Sequence, residues 1–394
     1  MRKGGDVMKN FHYSIKTDIH FGKGAIENLP NEIKKYGKKV LLVYGGGSIR
    51  KIGLYDKVLD LLNENNIKCI EISGVEPNPR IDTVRRGVRF VKSDKIDVIL
   101  PIGGGSTIDC AKAISAGSFY DGDPWDLIVD SSKIKKVLPI ISVLTLAATG
   151  SEMDAGAVIS NLETREKLGF GHPDLRPKAS ILDPEYTYTV PKNQTAAGTA
   201  DIMSHILEVY FSKNEGAYLQ DRMCEALLKT CIHYGPIAYR DGENYEARAN
   251  LMWASSLAIN GLLSNGKSGA WSVHPIEHEL SAYYDITHGV GLAILTPNWM
   301  EYVLDNTTIE KFVQYGINVW DIDKSLDKEE IAKKSIEKTR EFFKSLEIPS
   351  SLKEININDE HFEEMAEHCV RKGIIDGYKP LDKDSIIQIF KSSL

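Results

Sequence analysis

An α/β domain followed by an all-helical one is the fold class this sequence predicts, on three observations. From Lys38 to about Asp183, short β-branched apolar runs alternate with helical stretches separated by turn residues. After Pro191 the β-branched runs thin out and helical spacing takes over. The length of 394 residues exceeds what one hydrophobic core fills, so two domains, or three, are expected.

Taken in order, Val40 to Tyr44, Ile67 to Ile72, Ile96 to Ile102 and Val137 to Val143 read as strands, several of them apolar on both faces as buried parallel strands are. Ser48 to Asn65, Arg80 to Lys92 and Ser106 to Ser118 read as the helices between them. The segment Pro184 to Asn193 contains Pro184, Pro191 and turn chemistry, and it sets domains of 8–190 and 191–394. In the second domain Gln194 to Phe211, Ala217 to Tyr234, Tyr245 to Leu263, Leu326 to Leu346 and Asp359 to Lys372 show helical spacing.

Composition bounds the function. Lys and Arg number 48 against 55 Asp and Glu, and 48 − 55 gives a net charge of −7, which argues against a protein built for the phosphate backbone of nucleic acid. The 5 cysteines are scattered and contain no C-x-x-C, so neither a disulfide framework nor a thiolate zinc site is expected, and a reducing, cytoplasmic setting fits. The basic start Met1 to Met8 lacks an apolar core, and the apolar stretch Val137 to Thr149 is interrupted by Pro139, Ser142 and Thr145. Neither a signal peptide nor a membrane span is expected. Met8 serves equally as a start, in which case residues 1–7 carry no structural meaning.

Two glycine loops follow predicted strands and precede predicted helices: Gly45-Gly46-Gly47-Ser48 and Gly103-Gly104-Gly105-Ser106. Glycines let backbone N–H groups approach an anion, and a following helix N-terminus favours negative charge. Either loop alone is as well explained as a tight turn. Two of them at the carboxyl ends of successive parallel strands point to a dinucleotide.

Of 10 histidines, His274, His278 and His288 fall close together. Upstream, Asp201 and His205 stand at i, i+4 and share one helix face. Asp201, His205, His274 and His288 together offer one oxygen and three imidazole nitrogens, a set that suits Fe(II), Zn(II), Co or Ni and not a structural zinc knot. His278, at i, i+4 from His274, suits a proton relay beside the ligands. Pro275 follows His274, so the His-Glu-x-x-His pattern of zinc proteases is missing. Trp253, Leu257, Leu262 and Trp271 are candidate walls of a slot for an alkyl chain, though residues of this kind more often fill a helix core.

The run Ile181-Leu-Asp-Pro-Glu-Tyr-Thr-Tyr-Thr-Val-Pro191 into Ala197-Gly-Thr-Ala-Asp201-Ile-Met-Ser-His205-Ile-Leu-Glu208, with His274-Pro-Ile-Glu-His278-Glu-Leu and Thr287-His288-Gly-Val-Gly291, closely resembles the iron-containing (group III) alcohol dehydrogenases. The likeness is greatest to their NADPH-dependent butanol dehydrogenase and broad aldehyde reductase branch. The resemblance covers the chain from about Asn10 and implies a Rossmann-like α/β domain plus an all-helical C-terminal domain, the architecture shared with dehydroquinate synthase.

By the same resemblance, Asp201, His205, His274 and His288 match metal ligands, Fe(II) first and Zn(II) second, and His278 matches a residue beside nicotinamide and substrate. Gly103, Gly104, Gly105, Ser106 and Asp109 match the pyrophosphate loop, and Thr145, Thr149, Ser151 and Lys167 match further cofactor contacts. NAD-preferring relatives carry an Asp near Gly45, whereas this chain has Gly-Gly-Gly-Ser-Ile-Arg-Lys51. That favours NADP(H), with Arg50 or Lys51 neutralising the extra phosphate beside Gly45, Gly46, Gly47 and Ser48. Glu71, at the end of the next strand, argues the other way as the acid of a Rossmann ribose site, and the loop comparison weighs more.

The expected activity is hydride transfer between NADP(H) and short-chain primary alcohols or aldehydes. A glycerol-dehydrogenase-like enzyme, a dehydroquinate-synthase-like cyclase and a non-catalytic dinucleotide sensor are the alternatives. The cyclase would need a basic phosphate site that the helical half does not show. The alternating segment Phe11 to Phe21 and the resemblance together suggest a homodimer.

Overall fold

The computed structural model describes residues 8–213 and 216–394, so the expectation about residues 1–7 lies outside the described residues. Two compact units form. One contains 14–190 together with 242–260, and the other contains 8–13, 191–241 and 261–394.

The first unit is a parallel sheet of six strands in the order β1 (Asp18–Phe21), β8 (Ala179–Leu182), β5 (Ile141–Leu144), β4 (Val98–Gly103), β2 (Lys39–Tyr44), β3 (Lys68–Ile72). β2 runs Lys-Val-Leu-Leu-Val-Tyr, and its side chains feed two different cores. Val40, Leu42 and Tyr44 pack with Val58, Leu61 and Leu62 of the helix Leu54–Glu64. Leu41 and Val43 pack with Val84, Val88 and Val91 of Ile81–Asp94 and with Ile114 of Gly105–Gly117. A strand apolar on both faces is therefore covered on both, as the run of aliphatic residues predicts. An antiparallel hairpin, β6 (Gly156–Asn161) with β7 (Glu166–Gly171), lies outside the main sheet. Its half-polar strands gave no apolar run to read.

The expected helix 48–65 is broken. Ser48–Lys51 is a single turn, and Gly53 at φ 73° separates it from Leu54–Glu64, a left-handed conformation that favours glycine. The expected single boundary at 190/191 also needs correction, because residues 242–260 return to the sheet unit. Met252 from Tyr245–Ile259 is fully buried against Ile108, Leu144 and Leu182, at the carboxyl ends of β5 and β8. Trp253 stacks edge-on with Phe21, and the Lys23 ammonium stands over the Tyr245 ring.

The second unit is built on the helices Lys192–Tyr210, Tyr218–Arg240, Val273–Tyr284, His288–Val303, Ile309–Trp320, Lys328–Ser345, Phe362–Cys369 and Lys383–Ser392. Lys328–Ser345 starts where Asp327 accepts from the Glu330 N–H, and its outer face carries Glu329–Lys333 and Glu330–Lys334 pairs at i, i+4. Its core gathers around Phe211, whose ring meets Trp299, Phe312, Tyr315 and Tyr378. Among the described residues no helix is long and apolar enough to cross a membrane. All five cysteines are free thiols, and burial pushes those of Cys69, Cys110, Cys224 and Cys231 up to about 12.

Met252→Ala is expected to cost about 2–5 kcal/mol in urea unfolding, as core truncations do. A loss below about 1 kcal/mol would mean that the helix 245–259 does not seal the sheet unit.

Candidate functional site

Three helices of the second unit bring the predicted ligand set together. Asp201 and His205 come from Lys192–Tyr210, His274 from Val273–Tyr284 and His288 from the first position of His288–Val303. From Asp201 Oδ1, His205 Nδ1 lies 3.7 Å away, His274 Nε2 3.9 Å and His288 Nε2 3.8 Å. These spacings are too long for hydrogen bonds. They approach the ~3.4 Å between donors that share one ion at about 2.1 Å in tetrahedral geometry.

Asp201, His205 and His274 are buried, and His205 Nδ1 and His274 Nε2 have no hydrogen-bond partner. Burial, then the neighbouring His274 and His288, hold the His205 imidazole well below its ordinary pKa, so it is neutral with a lone pair to give. Buried nitrogens without partners are costly unless something binds them, and one carboxylate with three imidazoles is a donor set for a divalent transition ion. The residues fit the metal.

Behind the ligands stand two carboxylates that the sequence reading did not single out. Glu208 accepts from the backbone N–H groups of Ser272 (2.7 Å), Val273 (2.8 Å) and His274 (2.9 Å), and its Oε1 lies 3.1 Å from His274 Nδ1. It thus caps the helix Val273–Tyr284, for which Ser272 offers no side-chain cap, and fixes the ring whose other nitrogen faces Asp201. Glu277 does the same for His288, holding Nδ1 through Oε2 while its Oε1 accepts from the Ser281 hydroxyl. Both residues lie inside the motifs that carried the resemblance. Spacing could not pair either acid with its histidine, since Glu208 and His274 lie on different helices and so do Glu277 and His288.

The glycines after His288 explain themselves here. A Cβ on Gly289 would stand 2.0 Å from the Ala197 carbonyl oxygen, and one on Gly291 would stand 2.8 Å from Glu277 Cγ. Glycine lets the His288 helix press onto the Asp201 helix. His278 lies beside the ligands, its ring centroid 5.6 Å from that of His288, with Glu277 completing a local cluster. Trp271 covers His205 and His274 at 5.4 and 4.6 Å between centroids. Trp253, expected near the histidines, is instead in the sheet unit, 40% exposed against Phe21.

In the sheet unit, Gly103-Gly104-Gly105 closes β4 and opens a helix of thirteen residues, Gly105–Gly117. A Cβ on Gly105 would stand 2.2 Å from Thr149 Oγ1, so that glycine brings the two expected cofactor segments together. Ser106 is half-buried at the start of the helix, and Thr145 donates its N–H to the Gly103 carbonyl. Asp109 and Ser151, expected as cofactor contacts, are spent on each other. Ser151 Oγ donates to Asp109 (2.6 Å) and accepts from the buried Lys112 Nζ (2.8 Å), which also donates to the Gly156 carbonyl, while the Val158 N–H donates to Asp109. Burial pushes the Asp109 carboxyl up and the Lys112 ammonium down. The group braces the loop 145–151. Lys167 is buried in β7, in register with Ser160.

The first loop follows β2. A Cβ on Gly46 would meet nothing within 4 Å, Gly47 has φ 107°, and Gly45 is held by the Gly74 N–H. Gly46, Ser48 and Lys51 are exposed, but the helix after them is one turn, so the expected help from a helix dipole is small here.

A family profile described as iron-containing alcohol dehydrogenase matches residues 16–184, and one for the C-terminal part of the Fe-containing alcohol dehydrogenase family matches 195–394. The chain is 62% identical to NADH-dependent butanol dehydrogenase A of Clostridium acetobutylicum, over 98% of this chain and 100% of that one. It is 41% identical to the NADPH-dependent aldehyde reductase YqhD of Escherichia coli, over 89% and 90%. The crystal structure of NADH-dependent butanol dehydrogenase A from Thermotoga maritima superposes with a TM-score of 0.94 at 38% identity, over 98% and 99%.

Glu208→Gln is expected to lower affinity for Fe(II) or Zn(II) about 10–100-fold in a chelator competition, the usual cost of losing a carboxylate behind a ligand histidine. Unchanged affinity would remove Glu208 from the metal's support.

Proposed function

The chain belongs to the iron-containing alcohol dehydrogenase family, whose chemistry is the oxidoreduction of alcohols and aldehydes with a nicotinamide cofactor, and from that premise we propose a metal-dependent, butanol-type enzyme. It exchanges hydride between a nicotinamide dinucleotide and short-chain primary alcohols or aldehydes, with Fe(II), or Zn(II) in its place, held by Asp201, His205, His274 and His288. The observation that carries this reading is the convergence of three imidazole nitrogens on one carboxylate oxygen.

When bound, the ion polarises the substrate oxygen while the nicotinamide gives or takes hydride at the adjacent carbon. The protein's part is to orient and to move a proton. Glu208 and Glu277 keep the proton of His274 and His288 on Nδ1, leaving Nε2 as donor. A ring nitrogen of His278 gives a proton to the alcohol oxygen during reduction and takes it back during oxidation. Trp271 keeps water off the face formed by His205 and His274.

For the cofactor, backbone N–H groups of Gly103, Gly104, Gly105 and Ser106 hold the pyrophosphate, with Thr145 and Thr149 beside them and Lys167 farther along the same unit. Gly45, Gly46, Gly47, Ser48 and Lys51 hold the adenosine end. Arg50 and Lys51 support NADP(H). Against them, Arg50 is already bonded to Tyr44 and faced by Glu71, and the relatives 61–62% identical are named NADH-dependent. We therefore place NADPH and NADH within about tenfold of each other in kcat/KM. A homodimer is supported by β1, which forms one edge of the sheet and carries the exposed Phe21.

Loaded anaerobically with Fe(II) or Zn(II), the protein is expected to oxidise NADPH and NADH with butanal and to run in reverse with butanol. Tight dinucleotide binding without turnover under any metal would defeat the enzyme reading. Asp201→Ala and His274→Ala should abolish turnover yet bind NADPH as before, whereas unfolding of both would make the cluster structural. His278→Phe should lower kcat about 10²–10⁴-fold at unchanged metal content, and a smaller loss would move the proton to another path.

A further inference from the structure

Between the ends of β2 and β3 lies a polar cluster that the reaction does not use. The Glu71 carboxylate, at the end of β3, accepts from the Tyr44 hydroxyl (3.0 Å) and from the Tyr55 hydroxyl through both oxygens (2.9 Å each). Arg50, in the single turn after the first glycine loop, donates to the Tyr44 hydroxyl (2.7 Å). Its guanidinium lies 3.5 Å above the Tyr55 ring centroid and 3.8 Å from Glu71 Oε2. Both tyrosine rings are buried, whereas the Arg50 and Glu71 side chains are 49% and 34% exposed.

Each group here is fixed by the others. Stacking and one hydrogen bond set the plane of the guanidinium, and the remaining N–H groups keep donor capacity. The carboxylate beside it accepts from two tyrosine hydroxyls. Both Glu71 oxygens already accept from tyrosine hydroxyls, which leaves fewer of its lone pairs for a ribose hydroxyl. Glu71 does two other things. It offsets the charge of Arg50, and it places negative charge next to any phosphate that Arg50 would bind.

We infer that Glu71, acting through Arg50, sets the nucleotide preference by restraining the enzyme's use of a phosphate on the adenosine 2′ position. This rests on the proposed seating of the adenosine end at the first glycine loop. The same residues in the same places then give two outcomes: an adenosine without the phosphate meets a neutral pair, and one with it meets a cation whose partner is an anion. The cost to the phosphorylated nucleotide is electrostatic and modest, because both charges face solvent.

The test uses the whole protein and two readouts. Adenosine 2′,5′-bisphosphate and adenosine 5′-monophosphate are titrated calorimetrically, without metal, into the wild type, Glu71→Gln, Arg50→Met and the double variant. KM for NADPH and NADH is measured on the same proteins loaded with Fe(II). Glu71→Gln is expected to tighten the bisphosphate and lower KM for NADPH about five- to tenfold, with the monophosphate and NADH moving less than about twofold. In the Arg50→Met background that gain should vanish. If both nucleotides move together, Glu71 merely shapes the loop and the inference fails. If the gain survives without Arg50, the route through Arg50 is wrong. If neither variant moves either nucleotide while both still bind, the first loop is not the adenosine site, and the seating on which the inference rests fails instead.

Discussion

The hydrogen bonds of Glu208 are the constraint on which the candidate centre depends. One buried carboxylate takes three consecutive backbone N–H groups and stands against an imidazole nitrogen, so the start of a helix and the direction of a ligand are settled by one side chain. Because Glu208 and the pair Asp201 and His205 ride on the same helix, Lys192–Tyr210, that helix supplies two of the four clustered side chains and the support for a third. Glu277 repeats the arrangement for His288 from the helix that carries His274. The cluster is thus cross-braced: Glu208 ties the first of its three helices to the second, and Glu277 ties the second to the third. Such bracing is how soft, rotatable imidazoles are kept in a geometry fit for one ion.

Much of this was legible beforehand, and the parts that were not have physical reasons. The parallel strands were readable because aliphatic runs buried on both faces leave an uninterrupted signal in β2 and β4. The hairpin of β6 and β7 was not, because half its positions are polar or glycine. The i, i+4 spacing of Asp201 and His205 disclosed a shared face, but spacing says nothing of partners distant in sequence. Glu208 is 66 residues from His274, and only the fold shows that they touch. For Asp109 and Ser151 a motif match gave the position of a residue and not the direction of its side chain. Ser151 accepts from Lys112 and donates to Asp109.

The sheet unit handles buried charge in a related way. Lys112 is fully buried, and its ammonium donates to the Ser151 hydroxyl and the Gly156 carbonyl, with Asp109 one hydroxyl away. A buried pair of this kind adds little net stability, but removing one member leaves the other charge stranded. Its effect is to specify: the loop 149–151, the helix Gly105–Gly117 and the hairpin strand β6 hold one arrangement.

Residues 242–260 leave the helical unit, seat Met252 at the ends of β5 and β8, and go back. This excursion bears on how such a chain diverges. A gene cut at the obvious linker would yield two fragments, one missing the plug of its hydrophobic core and the other carrying a greasy helix with nowhere to go. Recombination between relatives at that linker would inherit the same mismatch. A crossover at that linker parts Met252 from the residues it packs on, so the two halves are expected to be inherited together.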